Sequence, residues 1–489
     1  MRRRDIMAAI AGPLLRTSKA AAAPRPNVLL ILMDDMGQRA LSCYGNPLLK
    51  TPNLDRLSGE GMRFTRAYVT PQCTPTRATI LTGQYTARNR MWHVIPWYGT
   101  PWGRIREPAF KESLTHEDFL LSKGMKAAGY ATACIGKWHL TNNADGNYNG
   151  LRNGAPYGFD VVAKPAPRPD ELRVGDKGVA RLTDEAIGFL EANRNRPFFC
   201  YLPHHTIHGV VTAPGDIVQK YREKGAPAEG LHNATYLAAL EYMDTQIGRL
   251  MGALDDLKLA ENTAVMFLTD NGGVYENLNH VPVRDGEGLR LEIRERAFSS
   301  EPLRAGKGSN YEGGVRVPMI VRWPGAVKPG SVCQTPVHAV DLMPTLFGMC
   351  GAKAPAGHVQ DGVSIEPLLR GRKIAARALF GYTPFYELRW AVTPSATIHD
   401  GDYKLIESFG DSIDGERRYR EGHRLELFNV TADVGEHTNL ADREPGRARA
   451  MQRRLHDWIR SSGAEIPASN PRFDPKRPLE ETREKPAAV

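Results

Sequence analysis

The sequence predicts an α/β protein built on a large, mostly parallel sheet flanked by helices, with a smaller antiparallel subdomain toward its C-terminal end. Three observations carry this. Asn27 to Met33 is an unbroken apolar run, the pattern of a strand buried on both faces of a parallel sheet, and Thr263 to Thr269 repeats it. Both runs stop abruptly, at Asp34-Asp35 and at Asp270-Asn271-Gly272-Gly273, as strands do where their carboxyl ends open on a ligand crevice. Before the second run, Ala234 to Leu257 places Leu237, Leu240, Ile247, Leu250 and Leu254 at helical spacing. Glu241 and Asp244 on that helix read as solvated or as caps of another element. The 489 residues, 41% hydrophobic and 24% charged with 47 Gly and 35 Pro, suit one large domain with many loops and a small appendage.

Taken in order, the chain begins with Arg2-Arg3-Arg4-Asp5-Ile6-Met7, a mildly apolar stretch from Ile6 to Leu15, Lys19 and the small-residue run Ala20 to Ala23. That is the order of an export signal, and the paired arginines resemble the twin-arginine kind, so residues 1–23 are expected to direct the protein to a bacterial periplasm or beyond. They hold five basic residues against one acid, +4 of the formal +9, and the remainder carries +5. Such a mild excess suits an anionic substrate; nucleic acid would call for basic residues clustered along one element. No run of 18 apolar residues exists to span a membrane. Six cysteines, at 43, 73, 134, 200, 333 and 350, make neither a disulfide scaffold nor a zinc pair. Cys134 and Cys200 read as small core residues, and Cys333 and Cys350 as a bridge that an oxidising compartment would permit.

The two strand ends deliver three carboxylates, Asp34, Asp35 and Asp270, and one amide, Asn271. All are hard oxygen donors, which suits Ca²⁺ or Mg²⁺ rather than zinc. Three carboxylates gathered at one edge are expected to repel and to titrate high unless a divalent cation neutralises them. Between them, Thr51 to Leu57 opens a short helix and Gly61 to Thr70 a strand. The stretch Cys73-Thr74-Pro75-Thr76-Arg77 then runs through an apolar turn to Gly83. Pro75 pre-sets the first helical turn, the free N–H groups there favour an anion, and Arg77 projects a permanently charged fork.

An aromatic-rich stretch follows, Trp92, His93, Trp97, Tyr98 and Trp102. It reads first as a loop packing its aromatics on the body and second as a platform for a sugar ring. His116 to Tyr130 predicts a helix interrupted by Gly124, and Ala131 to Gly136 a strand that runs into Lys137-Trp138-His139-Leu140. Lys137 offers a point charge and His139 an acid or base near neutral pH. Thr183 reads as the N-cap of a helix to Asn193. The strand Pro197 to Leu202 then leads into His204, His205 and His208. Val274 to Pro302 is charged and irregular, a candidate substrate-facing insert. In Gly306-Lys307-Gly308 the glycines would let the backbone approach a ligand closely. Met319 to Trp323 reads as a strand. From about Ile374 the elements shorten to Asp402–Ile406, Glu426–Val430 and Glu436–Leu440, with a closing helix at Arg447–Ser461 and a loose tail from Ala468.

The order C-x-P-x-R, a short apolar helix and T-G resembles the signature of the type I, formylglycine-dependent sulfatases of the alkaline phosphatase superfamily. The blocks T-P-N-L-D-R-L at 51–57, G-K-W-H-L at 136–140 and G-K-G-S-N-Y-E-G-G-V-R-V-P at 306–318 resemble the family as well, and the resemblance spans about residues 26 to 465. Thr141 replaces a usual glycine. It implies an alkaline phosphatase-like fold, with a catalytic domain at 24–373, a C-terminal α+β subdomain at 374–467 and a tail at 468–489. It also implies that a formylglycine-generating enzyme oxidises Cys73, and that Asp34, Asp35, Asp270 and Asn271 hold the metal with the modified Cys73 or the sulfate completing the shell. Arg77, Lys137 and Lys307 would then bind the sulfuryl oxygens while the hydrated aldehyde attacks sulfur; His139 would deprotonate the second hydroxyl to expel sulfate. For protonation of the leaving alcohol the family spacing selects His208, six residues before Pro214 although Val210 replaces a proline, with His205 next. An aryl sulfate, a galactose or glucosamine sulfate and a sulfated algal polysaccharide all fit. Phosphonate or phosphate diester hydrolases of the same superfamily are the competing reading, and a non-catalytic sulfoglycan-binding protein with unmodified Cys73 is a second.

Overall fold

In the computed structural model, which describes residues 25–477 apart from 98, 148–149, 164–166, 279–282, 297 and 299, the apolar run Asn27–Met33 forms strand β1. Every residue of it is buried, and its side chains alternate between two cores. Val28, Leu30 and Leu32 enter one apolar cluster, and Leu29, Ile31 and Met33 enter the other. This is the two-sided burial that an unbroken apolar run foretells, each large side chain contributing roughly 1.5–3 kcal/mol by leaving water.

Along the chain the large sheet continues with β2 (Met62–Tyr68), β3 (Ala131–Ile135), β4 (Val161–Ala163), β5 (Phe198–Pro203), β6 (Thr263–Thr269), β7 (Arg316–Arg322), β8 (Ser331–Cys333) and β9 (Val337–His338). The strand order is β8-β2-β7-β6-β1-β5-β3-β4, with β9 also paired to β2. β1 runs parallel to both its neighbours, β5 and β6, whereas β7 is antiparallel to β2 and β6. Helices cover both faces. On one, α1 (Pro52–Glu60), α3 (Val179–Ala192) and α4 (Ala234–Asp256) bury Leu54, Leu182, Leu190, Leu240 and Leu250; on the other, α2 (Cys73–Thr82) and α5 (Leu342–Cys350) bury Ile80, Leu81 and Leu346. Asp244 caps another element, as its setting suggested: its carboxylate accepts from the N–H groups of Asn53 and Leu54 at the start of α1.

Several local expectations are corrected. The helix foreseen from His116 begins only at Leu121 and ends at Ala127, because His116 turns outward to Asp145. Thr183 is not a cap: α3 starts at Val179, whose N–H is taken by Asp176, and Thr183 donates back to the Val179 carbonyl from inside the helix. Cys333, at the end of β8, and Cys350, at the end of α5, are both free thiols. The segment 274–302 contains two small antiparallel ribbons, Glu276–Leu278 with Ile293–Arg296 and Val283–Asp285 with Gly288–Arg290. Residues 1–23, the expected export signal, lie outside the described residues. Among the described residues no helix is long and apolar enough to cross a membrane.

A separate antiparallel sheet follows, β10 (Leu379–Thr383), β11 (Ser395–Asp400), β12 (Tyr403–Ser408) and β13 (Arg424–Asn429), closed by α6 (Pro445–Ser461). Glu436–Leu440, read as a further element, forms no strand. Ile398, Leu405 and Leu427 pack against Met451, Leu455 and Ile459 of α6, and Trp92 and Trp97 from the large body enter the same core. Those tryptophans are therefore packing groups rather than a sugar platform; Tyr98 lies outside the described residues. The tail is tied down as far as 477. Asn470 donates to the carbonyls of Pro101 and Gly103, and the Arg477 guanidinium lies over the Trp102 ring.

Candidate active site

The carboxyl ends of β1 and β6 lie side by side, so the acids that end them meet. The Asp270 N–H donates to Met33 O at 3.1 Å, and the Asp35 N–H lies 3.3 Å from Asp270 Oδ1. The histidine loop after β5 is zipped to the same point: Asp34 N–H donates to Thr206 O and Ile207 N–H to Asp34 O, at 3.2 and 2.8 Å. Lys137 follows β3 and donates its N–H to Pro203 O, while Lys307 N–H donates to Gly273 O. The glycines flanking Lys307 serve chain-to-chain approach rather than a ligand. A Cβ at Gly306 would sit 2.3 Å from Gly273 O, and one at Gly308, where φ is +85°, would strike Trp390.

Cys73 is the first residue of α2, whose ten residues are all buried and whose C-terminal cap is Gly83 in the left-handed region. One turn on, Arg77 forks onto Asp270 Oδ2 with Nε at 2.9 Å and Nη2 at 2.7 Å, and donates Nη1–H to Lys137 O. Lys137 Nζ lies 2.6 Å from Asp34 Oδ2, and Lys307 Nζ lies 2.6 and 2.8 Å from the two oxygens of Asp35. Asn271 donates its amide to Asp35 Oδ1 at 2.8 Å. Cys73 Sγ stands 3.5 Å from His139 Nδ1, and His139 Nε2 stands 2.9 Å from Ile95 O. His208, the partly exposed member, has Nε2 at 3.9 Å from Asp35 Oδ2 and stacks on His205. Every residue singled out in the sequence for metal or sulfate chemistry thus converges here. Asp35 and His139 hold φ near +61° and +56°, unfavourable for side chains of their kind, the sort of backbone cost that a packed functional site sustains.

The electrostatics correct one expectation. Burial pushes Asp34 and Asp35 up, yet the cations around them win: Lys137, His208 and Arg77 hold Asp34 well below the ordinary range, and Lys307 and His208 hold Asp35 below it. Only Asp270 rises, to about 7, from burial and the Asp34 charge. Each carboxylate has its own cation, so repulsion alone does not call for a metal. The donor atoms do. Asp34 Oδ1 and Asn271 Oδ1 are buried with no hydrogen-bond partner among the described residues, a costly state for acceptors shut away from water unless something binds them. Oxygens of Asp34 and Asp270 and the Cys73 sulfur all lie within 4.8 Å of one another. The residues fit a hard cation. Burial also pushes the Cys73 thiol up, against the pull of Lys137 and Lys307, and burial with Lys137 holds His139 well below its ordinary value, as a neutral imidazole.

One supporting residue carried no signal in the sequence. Lys177, in the loop before α3, donates Nζ–H to the carbonyls of His208 and Val210 and so ties down the His208 loop. A lysine between two glycines in a polar loop looks like any surface residue.

Unsatisfied hard oxygen donors beside a cation-lined cysteine, at the carboxyl edge of this mixed sheet, make a pocket of the class that can hold a cation beside an anionic ligand. The comparisons narrow the class. A sulfatase family model matches residues 26–352, and the model described as N-sulphoglucosamine sulphohydrolase, C-terminal, matches residues 306–462. A sulfatase of Formosa agariphila is 30% identical, with 92% of each chain covered, and human arylsulfatase A is 32% identical over 75% of this chain and 72% of its own. The solved structure of Ps i-CgsB in complex with k-i-k-neocarrahexaose superposes with a TM-score of 0.70 at 23% identity, covering 89% of this chain and 93% of that one. The chain belongs to the sulfatase family and is a sulfuric ester hydrolase. Members of that family work with a metal ion and a formylglycine.

Proposed function

We propose that this sulfatase cleaves an aryl or carbohydrate sulfate ester at the cysteine-centred site, with residue 73 oxidised to formylglycine and Ca²⁺ held by Asp34, Asp35, Asp270 and Asn271. The observation that carries the reading is the position of Cys73 Sγ, 3.5 Å from His139 Nδ1 and within 4.8 Å of carboxylate oxygens of Asp34 and Asp270. An all-oxygen donor set with two unfilled acceptors supports Ca²⁺ over zinc, and Mg²⁺ is the competing occupant. When present, the ion would add positive charge beside the sulfuryl oxygens and the oxidised side chain would supply the attacking hydroxyl.

The residues of the chain divide the remaining work. Donation of Nε2–H to Ile95 O leaves His139 Nδ1 as the acceptor that faces residue 73, placed to take a proton from it. Arg77, anchored by Asp270 and Lys137 O, presents its charge without rearrangement, and Lys137 and Lys307 add donors for the oxygens of the ester. His208, beside Asp35 at the opening, protonates the leaving alcohol. Burial with Lys307 and Lys137 lowers it to about 4, and an anionic ester bound between those lysines and the ring works in the opposite sense. Residues 24–373 act as the catalytic domain and 374–467 as its subdomain. The basic, apolar and small-residue order of 1–23 supports export, and a formylglycine-generating enzyme is the maturation partner.

The test compares turnover of p-nitrophenyl sulfate with that of phosphate and phosphonate diesters, alongside mass spectrometry of the peptide spanning residues 67–77 in protein from its native host. Preferred sulfate release and the mass of an oxidised residue 73 are expected. Faster diester turnover, or an intact thiol in active protein, would overturn the reading.

A further inference from the structure

We propose that the cavity beside Lys307 is a second anion subsite, so that the preferred substrate is a saccharide bearing another anionic group, sulfate or carboxylate, besides the ester that is cut. The inference rests on the assignment of Lys307 to that ester. The cavity, about 200 Å³, lies between the 304–309 segment and the small subdomain, and Arg304, Lys307, Tyr311, Trp390 and Arg417 are in its wall. Lys307 belongs to both places: its ammonium sits on Asp35, while its segment borders the cavity. Arg304 precedes it by three residues, which limits the separation of their Cα atoms to about 11 Å. A single sugar with two charged substituents can answer to both.

Arg304 is the informative residue. It is half-buried, its guanidinium lies 3.7 Å from the centre of the Tyr311 ring, and Nη1–H donates to the Glu436 main-chain carbonyl at 3.0 Å. Among the described residues no carboxylate forms an ion pair with it. A half-buried guanidinium without a counter-charge is costly, and its planar fork, held flat on an aromatic ring, matches a carboxylate or sulfate in two-point contact. Arg417 adds a second cation whose nearest carboxylate, Glu276, is a loose 3.8 Å away. Two acids share the wall: Glu276 is the loose partner of Arg417, and Asp414 is already engaged, accepting from the N–H groups of Glu416 and Arg418 and from Arg420 Nε. The cavity therefore presents cationic forks with unspent donors.

The experiment measures kcat/KM for p-nitrophenyl sulfate, singly sulfated hexosamines, their disulfated counterparts and sulfated hexosamine–uronate disaccharides, with the wild type and with Arg304→Met, Arg304→Lys and Arg417→Gln. One doubly anionic class should exceed the singly sulfated sugars at least tenfold in the wild type, and which class does so separates sulfate from carboxylate. Arg304→Met should lower that preference at least tenfold, mainly through KM. Arg304→Lys should restore part of it, and Arg417→Gln should lower it in the same direction. Equal use of singly and doubly anionic sugars, or loss in Arg304→Met that is uniform across all substrates, would overturn the subsite. Failure of the wild type to release sulfate from any of these esters would instead overturn the underlying assignment.

Discussion

Replacing Glu436 with glutamine should change how the stability of this protein depends on pH. Glu436 and Glu312 share one ammonium: Lys404 Nζ lies 2.8 Å from Glu436 and 3.2 Å from Glu312, all three side chains fully buried where the large body meets the small subdomain. The Glu312 N–H also donates to Glu436 Oε2 at 2.7 Å. Burial pushes both acids up. For Glu312 the charges of Lys404, His399 and Arg316 prevail and hold it at about 2, whereas for Glu436 burial and the neighbouring Glu312 prevail and raise it to about 7. A carboxyl raised on folding stabilises the fold fully below its ordinary value of 4.5, and that contribution is lost as pH climbs through about 7. The loss is worth about 3 kcal/mol. Glutamine keeps the shape of the protonated acid and cannot ionise. The stability of Glu436→Gln relative to wild type should therefore shift in favour of the variant by about 3 kcal/mol between about pH 4 and pH 8, on top of a pH-independent offset from the glutamine amide facing the Lys404 ammonium or the Glu312 N–H. Thermal unfolding at constant ionic strength across that range measures it. Parallel curves for the two proteins would refute the shared-ammonium account.

The other predictions concern the site and its support. Lys177→Met should loosen the His208 loop and cut kcat on alkyl sulfates about tenfold while costing p-nitrophenyl sulfate less, because a poor leaving group depends more on the acid; equal losses on both would sink the link to His208. Dialysis against a chelator should abolish sulfate release and lower the melting temperature, with Ca²⁺ restoring both, and full activity in metal-free protein would contradict the assignment of Asp34, Asp35, Asp270 and Asn271. Leu30→Ala, which empties a fully buried position of β1, should cost about 2–5 kcal/mol in denaturant unfolding.

The strands at the centre of the sheet were legible because burial on both faces leaves a one-letter signature, an uninterrupted apolar run, that no surface element imitates. Helix starts were less so. Thr183 has the right chemistry for a cap, but Asp176, seven residues earlier, captures the Val179 N–H first, and capping is decided by whichever side chain the loop brings within reach. The ribbons in 274–302 were hidden for a related reason. Their strands are three or four residues long, and too few positions face any core to impose a period of two.

At the site, residue types and spacing pointed to side chains that the fold brings together, and what they withheld was the pairing. Read along the chain, Asp34, Asp35 and Asp270 are three charges in search of a neutralising ion. In space each is met by a cation from far away in sequence, Lys137 on Asp34, Lys307 on Asp35 and Arg77 on Asp270, and two of the three acids titrate low rather than high. Net charge is therefore a poor witness for a metal here, since the pocket is balanced without one. The better witness is directional: after every cation has taken its oxygen, Asp34 Oδ1 and Asn271 Oδ1 are still buried and unspoken for. Sequence motifs reveal which atoms could bind an ion, and only the folded chain reveals which of them its own cations have left over.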